Sequence, residues 1–309
     1  MARYTVPVDL AGERADKIVA VLGGVSRAGA RRLVDDGAVM VEGTPVTARE
    51  RLAAGTVLVF GAPPRPEGLM PEPVEFTVRY EDAHLAVVDK PAGIVTHPGS
   101  ARRGGSLAAG LLHRYPRIVG VGEEGRWGIV HRLDRDTSGL LVIALTAETY
   151  DALAAAMAER RIHRRYLALV DGLFDAPRGT IEAPIGSDPA RPTRRIVTAR
   201  GKPARTHYRR LDTWGDTRVS LLGVELETGR THQIRVHLAS IDRPVIGDRW
   251  YGRPARIDAP RVFLHAARLE FVHPVTGENI EVESPLPADL QTVLDGLGPP
   301  ERQTLDHGS

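Results

Sequence analysis

Two regimes of hydrophobic spacing divide the chain. From Asp16 to Leu22 and from Ser26 to Asp36, apolar residues recur every three to four positions, which predicts two short helices, the second capped by Ser26 and stopped at Gly37. The segments 38–46 (AVMVEGTPV) and 55–60 (GTVLVF) then alternate or run apolar around glycines, as strands of a small sheet do. Residues 61–73 (GAPPRPEGLMPEP) break the pattern, because five prolines and two glycines can neither sustain a helix nor donate regularly to a ladder. Beyond the break, the segments 84–90, 127–133, 139–145, 166–172, 218–227 and 267–274 are apolar and read as strands, while 147–162 (AETYDALAAAMAERRI) is the long helical stretch. Strict strand–helix alternation therefore fails. The expected class is α+β, a mainly antiparallel mixed sheet with a small α/β module in front of it.

The expected division is residues 1–62 for the module, 63–76 for a proline-rich linker, 77–290 for the large domain and 291–309 for a polar tail that frays at its end. At 309 residues and 42% hydrophobic, the chain can bury one substantial core and one appendage. It has no cysteine, which excludes disulfides, thiolate nucleophiles and cysteine-ligated zinc and suits a reducing cytosol. The N-terminus lacks a basic segment followed by an apolar core, and no apolar run approaches a membrane span, so a cytoplasmic protein without a membrane partner is expected.

Net charge is only +2, yet its distribution is uneven. Residues 191–210 hold eight Lys/Arg, among them Arg194 and Arg195, and no acid. Arg160, Arg161, Arg164 and Arg165 form a second basic cluster with His163. Such runs suit a phosphate backbone or a solvated face, and charge alone does not choose.

Two segments concentrate chemistry. Residues 128–145 place His131, Arg132, Asp134, Arg135, Asp136, Thr137 and Ser138 between two apolar runs, where a loop held at both ends can aim a carboxylate. In 226–248 the chain is expected to turn at Gly229 into a helix capped by Thr231, with Ile234, Leu238 and Ile241 facing the core and His232 and Arg235 on one face. His232 and His237 sit five residues apart, about 140° around a helix, which argues against a shared metal ion. The GVGEEG at 120–125 fails as a dinucleotide fingerprint, a P-loop is missing, and HRLD at 131–134 is out of order for a kinase loop.

The segment RADKIVAVL…SRAGARRLVDDGAVMVEG resembles the S4 RNA-binding domain, which implies that Arg27, Arg31 and Arg32 face RNA. VDKPAGIVTHPG (88–99), GIVHRLDRDTSGL (128–140), RRYLALVDG (164–172), TGRTHQIRVHL (228–238), GDRWYG (247–252) and LHAARLEFVHP (264–274) together resemble the RluA family of pseudouridine synthases, in order over residues 77–287. With the S4-like module in front, the resemblance narrows to the branch acting on large-subunit ribosomal RNA. It implies Asp134 as nucleophile, Arg235 as partner to that carboxylate, Tyr166 packed on the target base, and Arg132 filling the gap left by the flipped uridine. Further RNA contacts are expected from Arg164, Arg165, Arg194 and Arg195. The implied partner is ribosomal RNA or an assembling large subunit, met by a monomer without metal or organic cofactor. Two departures, Asp89 where the family often has asparagine and Arg194-Arg195-Ile196 where a Lys-Met pair is common, imply altered target contacts.

These residue types suit the reaction. A stacked uridine must be extruded, at a cost of a few kcal/mol that an aromatic and a gap-filling side chain offset. A carboxylate can then assist glycosidic cleavage, and a neighbouring guanidinium favours its charged form and fixes its direction. Two rivals stay open: a noncatalytic RNA-binding or ribosome-assembly protein, and a carboxylate-based glycosidase with Asp136 as second acid.

Overall fold

A computed structural model describes residues 2–23, 27–60, 69–98, 105–123, 125–254 and 257–301, with backbone alone for 27–29 and 32. Two compact units result, Met1–Met70 and Pro71–Ser309.

In the first unit, strand β1 (Ala2–Thr5) precedes helices α1 (Ala15–Gly23) and α2 (Arg27–Asp35), followed by β2 (Val39–Val41), β3 (Thr44–Pro45) and β4 (Val57–Phe60). The strands form an antiparallel sheet in the order β1-β4-β2-β3. Ile18 and Val19 of α1, Ala30 and Val34 of α2, and Leu58 and Phe60 of β4 bury the apolar faces read from the spacing. The α2 helix stops before Gly37, whose φ of 68° lies in the left-handed region. The expected Ser26 cap lies outside the described residues.

The second unit runs β5 (Thr77–Glu81), β6 (Leu85–Lys90), α3 (Leu107–Arg114), β7 (Ser138–Ala144), α4 (Ala147–Ala158), β8 (His163–Asp171) and β9 (Arg178–Glu182). It continues with the hairpin β10 (Ile185–Ser187) and β11 (Arg195–Val197), then β12 (Arg205–Trp214), β13 (Val219–Leu226), α5 (Gln233–Ser240), β14 (Leu264–Val272), β15 (Asn279–Glu283) and α6 (Ala288–Asp295). Among the described residues a nine-stranded sheet dominates, ordered β5-β6-β7-β14-β8-β13-β12-β9, with β15 also on β14. Only the short β7–β14 pairing is parallel. The fold is therefore α+β with a mainly antiparallel mixed sheet. Every residue of β7 is buried, as its unbroken apolar run requires. Where β7 meets β14, Gly139 has φ 117° and a Cβ there would collide with the Ala266 backbone. No helix among the described residues is long and apolar enough to cross a membrane.

Several expectations need correction. Residues 127–133 form no strand: Trp127 and Gly128 take φ of 46° and 74°, and only Ile129 makes an isolated bridge to Ile143. Asp134 thus sits on an irregular approach to β7 rather than between two strands. The helix from Ala147 stops at Ala158, short of residue 162, with Arg160 at φ 62°. The cap of α5 is His232 at φ 59°, not Thr231, and Ile241 is 38% exposed rather than core-facing. The residues expected to form the end of the linker belong to the larger unit: Glu72 N–H donates to Ala109 O, and Val74 packs against Gly110 of α3. Part of the expected tail is docked too, since Ala288–Asp295 is helical, Trp214 Nε1 donates to Gly298 O and Glu301 N to Thr213 O.

Candidate active site

The segment carrying Asp134 is held at nearly every residue. Thr96 Oγ1 donates to Leu133 O at 2.8 Å and accepts from Leu133 N. Gly93 N donates to Arg135 O at 2.9 Å. Lys90, fully buried at the end of β6, donates to Pro91 O, Ile94 O and Arg135 O at 2.8 to 3.1 Å. From the far side Arg261 donates to Asp136 O and Ser138 Oγ, both at 3.1 Å, while its fork grips Asp289 of α6. Upstream, His131 Nε2 accepts from Val142 N, so the histidine replaces a missing ladder bond of β7. Burial pushes that ring down to about 3, leaving it neutral.

Opposite stands α5. Its start is fixed by Gln233, whose Oε1 accepts from Arg230 N and Thr228 Oγ1 and whose Nε2 donates to Arg205 O and Thr206 Oγ1. This side chain ties the start of α5 to the preceding turn and to β12, while the helix has no side-chain cap. Two residues on, Arg235 donates from Nη1 to Asp134 Oδ2 at 3.0 Å and from Nε and Nη2 to Asp248 at 2.7 and 2.9 Å. Asp248 also accepts from Trp250 N and Tyr251 N.

Two carboxylates therefore share one guanidinium. Burial alone would lower the Arg235 pKa, but hydrogen bonds and charge from Asp248, then Asp134, hold it above the ordinary arginine value. Burial would raise Asp248, yet Arg235 and the two backbone amides hold it below the usual carboxylate range. His232 Nε2 lies 3.9 Å from Asp134 Oδ1, and burial keeps its ring below the usual histidine value. Its Nδ1 shares a 2.8 Å hydrogen bond with Tyr251 Oη. Asp134, His232 and Arg235 line a cavity of about 430 Å³, within the usual size for a small-ligand site. A larger concavity of about 1270 Å³ lies behind the same loop, between Glu75 and Asp289, and does not reach the Asp134 carboxylate.

Tyr166 on β8 is 5% exposed, and burial followed by the Asp134 charge holds its phenol above the ordinary tyrosine value, against the effect of Arg164. Strand alternation puts Arg164 on the face of Tyr166, buried, with Nε lacking a partner among the described residues. Arg164 is thus an interior cation beside the site rather than a surface phosphate contact. Arg165 takes the opposite face and lies 3.6 Å from Glu270, away from Asp134. Arg194 stacks over the Tyr251 ring at 5.1 Å, and Arg195 N donates to Tyr251 Oη, so both reach the edge of the site. Arg132 is exposed, next to the His97 ring that burial pushes down to about 4. Arg31 is exposed on α2 and paired with Asp35 at 2.9 Å; the Arg27 and Arg32 side chains lie outside the described residues. His237 points elsewhere, to Thr206 Oγ1 and Ala183 O. Asp89 holds Arg79 at 2.9 Å and accepts from Ser284, a sheet-edge role. The roles of Lys90, Arg261 and Asp248 escaped the sequence, because a side chain bonding to backbone atoms or through another residue leaves no spacing to read.

Lys90 gives a measurable signature. Burial pushes its ammonium down to about 7, against the nearby Asp134 and Asp136 charges, from an unfolded value near 10.5. Between these values the unfolded chain holds a proton that the folded one lacks, so this contribution to stability rises with pH across that window. In urea unfolding at fixed pH, wild type is expected to gain on Lys90→Met between pH 7 and 10. A difference that stays flat would show that Lys90 is not shifted.

The chain matches the RNA pseudouridylate synthase family model over residues 84–240 and the S4 domain model over 13–58. It is 48% identical to an uncharacterized RNA pseudouridine synthase of Chloroflexus aurantiacus, covering 94% of this chain and 92% of the other. It is 42% identical to the ribosomal large subunit pseudouridine synthase D of Nitrosomonas europaea, over 99% and 89%. Among solved structures, human RNA Pseudouridylate Synthase Domain Containing 1 superposes with a TM-score of 0.56 at 27% identity, over 75% of this chain and 98% of that one. Both Asp134 and Arg235 fall within the matched stretch, and the relatives align almost from end to end: the chain belongs to the RNA pseudouridylate synthase family.

Proposed function

We propose that the protein isomerises specific uridines of large-subunit ribosomal RNA to pseudouridine in the cytoplasm, as a monomer and without a cofactor, with Asp134 as nucleophile. The observation that carries this reading is the Asp134 carboxylate, 17% exposed at a cavity wall and aimed by an arginine that Asp248 immobilises. The ribosomal substrate rests on the relatives named large subunit pseudouridine synthase D and on the S4 domain.

The net chemistry breaks N1–C1′ of uridine and forms C5–C1′, moving one proton from C5 to N1. Asp134 is placed to meet the sugar or base released in the cavity. Tyr166 lies near enough for the Asp134 charge to act on its phenol, but it is 5% exposed and does not line the Asp134 cavity, so its packing on the base rests on the family resemblance. A glycosidase would need a second working carboxylate. Asp248 is fully buried, with both oxygens engaged, and Asp136 is 57% exposed beside Arg135. Asp248 is thereby unavailable as a second acid, whereas Asp136 lines the same cavity as Asp134, and the Asp136→Asn variant tests it in that role.

Pseudouridine mapping of total RNA from cells with and without the gene tests the reading. Sites in large-subunit RNA should vanish on deletion and return with wild type but not with Asp134→Asn; an unchanged map would overturn it. Removing residues 1–70, the whole first unit, should weaken binding to structured ribosomal RNA and flatten its salt dependence, because phosphate contacts release counterions. Turnover of a short RNA at high concentration should largely survive. Equal affinity of both forms across salt would deny the first unit an RNA-binding role.

A further inference from the structure

The rim of the Asp134 cavity carries a side chain that the isomerisation leaves unused. Of the three tryptophans, Trp214 is buried and Trp127 half-buried, whereas Trp250 is 46% exposed. A single exposed aromatic is unremarkable in itself. This one is immobilised on the groups that surround the nucleophile. Its backbone N–H donates to Asp248 Oδ1 at 2.9 Å, its ring meets His232 edge-on at 5.3 Å between centroids, and Arg235 Cζ lies 5.8 Å from the ring centre. Arg249 and Arg135, both exposed, line the same cavity. A rigid, half-exposed ring with cations beside it combines a face for a base with a charge for its phosphate.

We propose that Trp250 is a stacking platform for the base of an unpaired nucleotide flanking the target uridine, and so a determinant of which uridines are modified. The inference rests on the RNA reading of the site given above. Duplex RNA hides its base faces, so a stacking platform beside the cavity selects uridines in loops or bulges, where a neighbour can splay out together with the target.

The test uses full-length protein and an RNA hairpin whose loop carries a uridine that mapping shows wild type to modify. Stacking of one base is worth roughly 5- to 150-fold. Trp250→Ala is expected to raise KM by a factor in that range with kcat nearly unchanged, and Trp250→Phe to restore most of the loss. Hairpins with an abasic residue at each flanking position in turn should show one position where wild type loses the same factor and Trp250→Ala loses nothing more. An unchanged KM in Trp250→Ala, or additive losses at every position, would overturn the platform while leaving the isomerase reading intact. Turnover by Asp134→Asn in the same assay would overturn the reading itself.

Discussion

Asp134→Asn should lose pseudouridine formation by on the order of 10⁴-fold or more, the scale of other nucleophile knock-outs, while folding about as stably as wild type. Loss of activity follows from removing the attacking oxygen at the cavity wall. Retained stability follows from the pairing around Arg235. One guanidinium serves two carboxylates, and Asp248 alone takes two of its donors in a buried bidentate pair. Neutralising Asp134 leaves the buried Arg235–Asp248 pair whole and keeps an amide oxygen that can still accept from Arg235 Nη1. Thermal unfolding and a tritium-release or mass-spectrometric assay read both halves. A variant with more than a few per cent of activity would remove Asp134 from the chemistry. Asp136→Asn supplies the contrast: its carboxylate is exposed, and the loop is held through its backbone oxygen, so activity should stay within a few fold.

Arg235→Lys should lower kcat steeply with only a small change in RNA affinity. An ammonium keeps the charge, but its three donors cannot reproduce a planar fork that meets two oxygens of Asp248 and one of Asp134 at 2.7 to 3.0 Å. Losing one charge-assisted hydrogen bond costs ~1.5–3 kcal/mol, roughly 10- to 150-fold in rate if the loss falls on the nucleophile's orientation. Arg235→Ala is a poorer probe. It leaves Asp248 buried without its cation, a change worth about 3–5 kcal/mol of stability. Wild-type kcat in the lysine variant, with the fold intact, would mean that Asp134 needs no directed partner.

The parts of this arrangement that could be read from sequence are those with a period or a motif. The spacing in 16–36 gave α1 and α2, the apolar runs gave β6, β7, β8, β13 and β14, and the HRLD and HQIR segments gave Asp134 and Arg235, which the fold brings to 3.0 Å across 101 residues. What stayed hidden has physical reasons. Strands β9 and β12 carry arginines on an open face, so their pattern resembles a charged loop. The run at 191–210 reads as one basic patch, yet Arg205 is spent on Glu182 and Glu227 and Arg210 on Phe174 O. Arg164 and Arg165 are adjacent in sequence, and only the pleat shows that one enters the interior and the other leaves it. The left-handed His232 cap could not be foreseen, because Thr231 is the better capping residue and the Gln233 side chain fixes the turn ahead of the helix by contacts that leave no spacing to read.

The central position of β14 bears on how the protein is made. This strand lies between β7 and β8, yet it is translated about a hundred residues after them. Until it emerges from the ribosome, β8 and the Ser138–Gly139 end of β7 present unpaired inner edges, and Arg261, just ahead of it, cannot secure the Asp134 loop. At 5–20 residues per second the nascent chain spends several seconds in that half-built state. Cooperative closure must therefore wait for residue 272, and a chain released before it has two sticky edges and no working cavity.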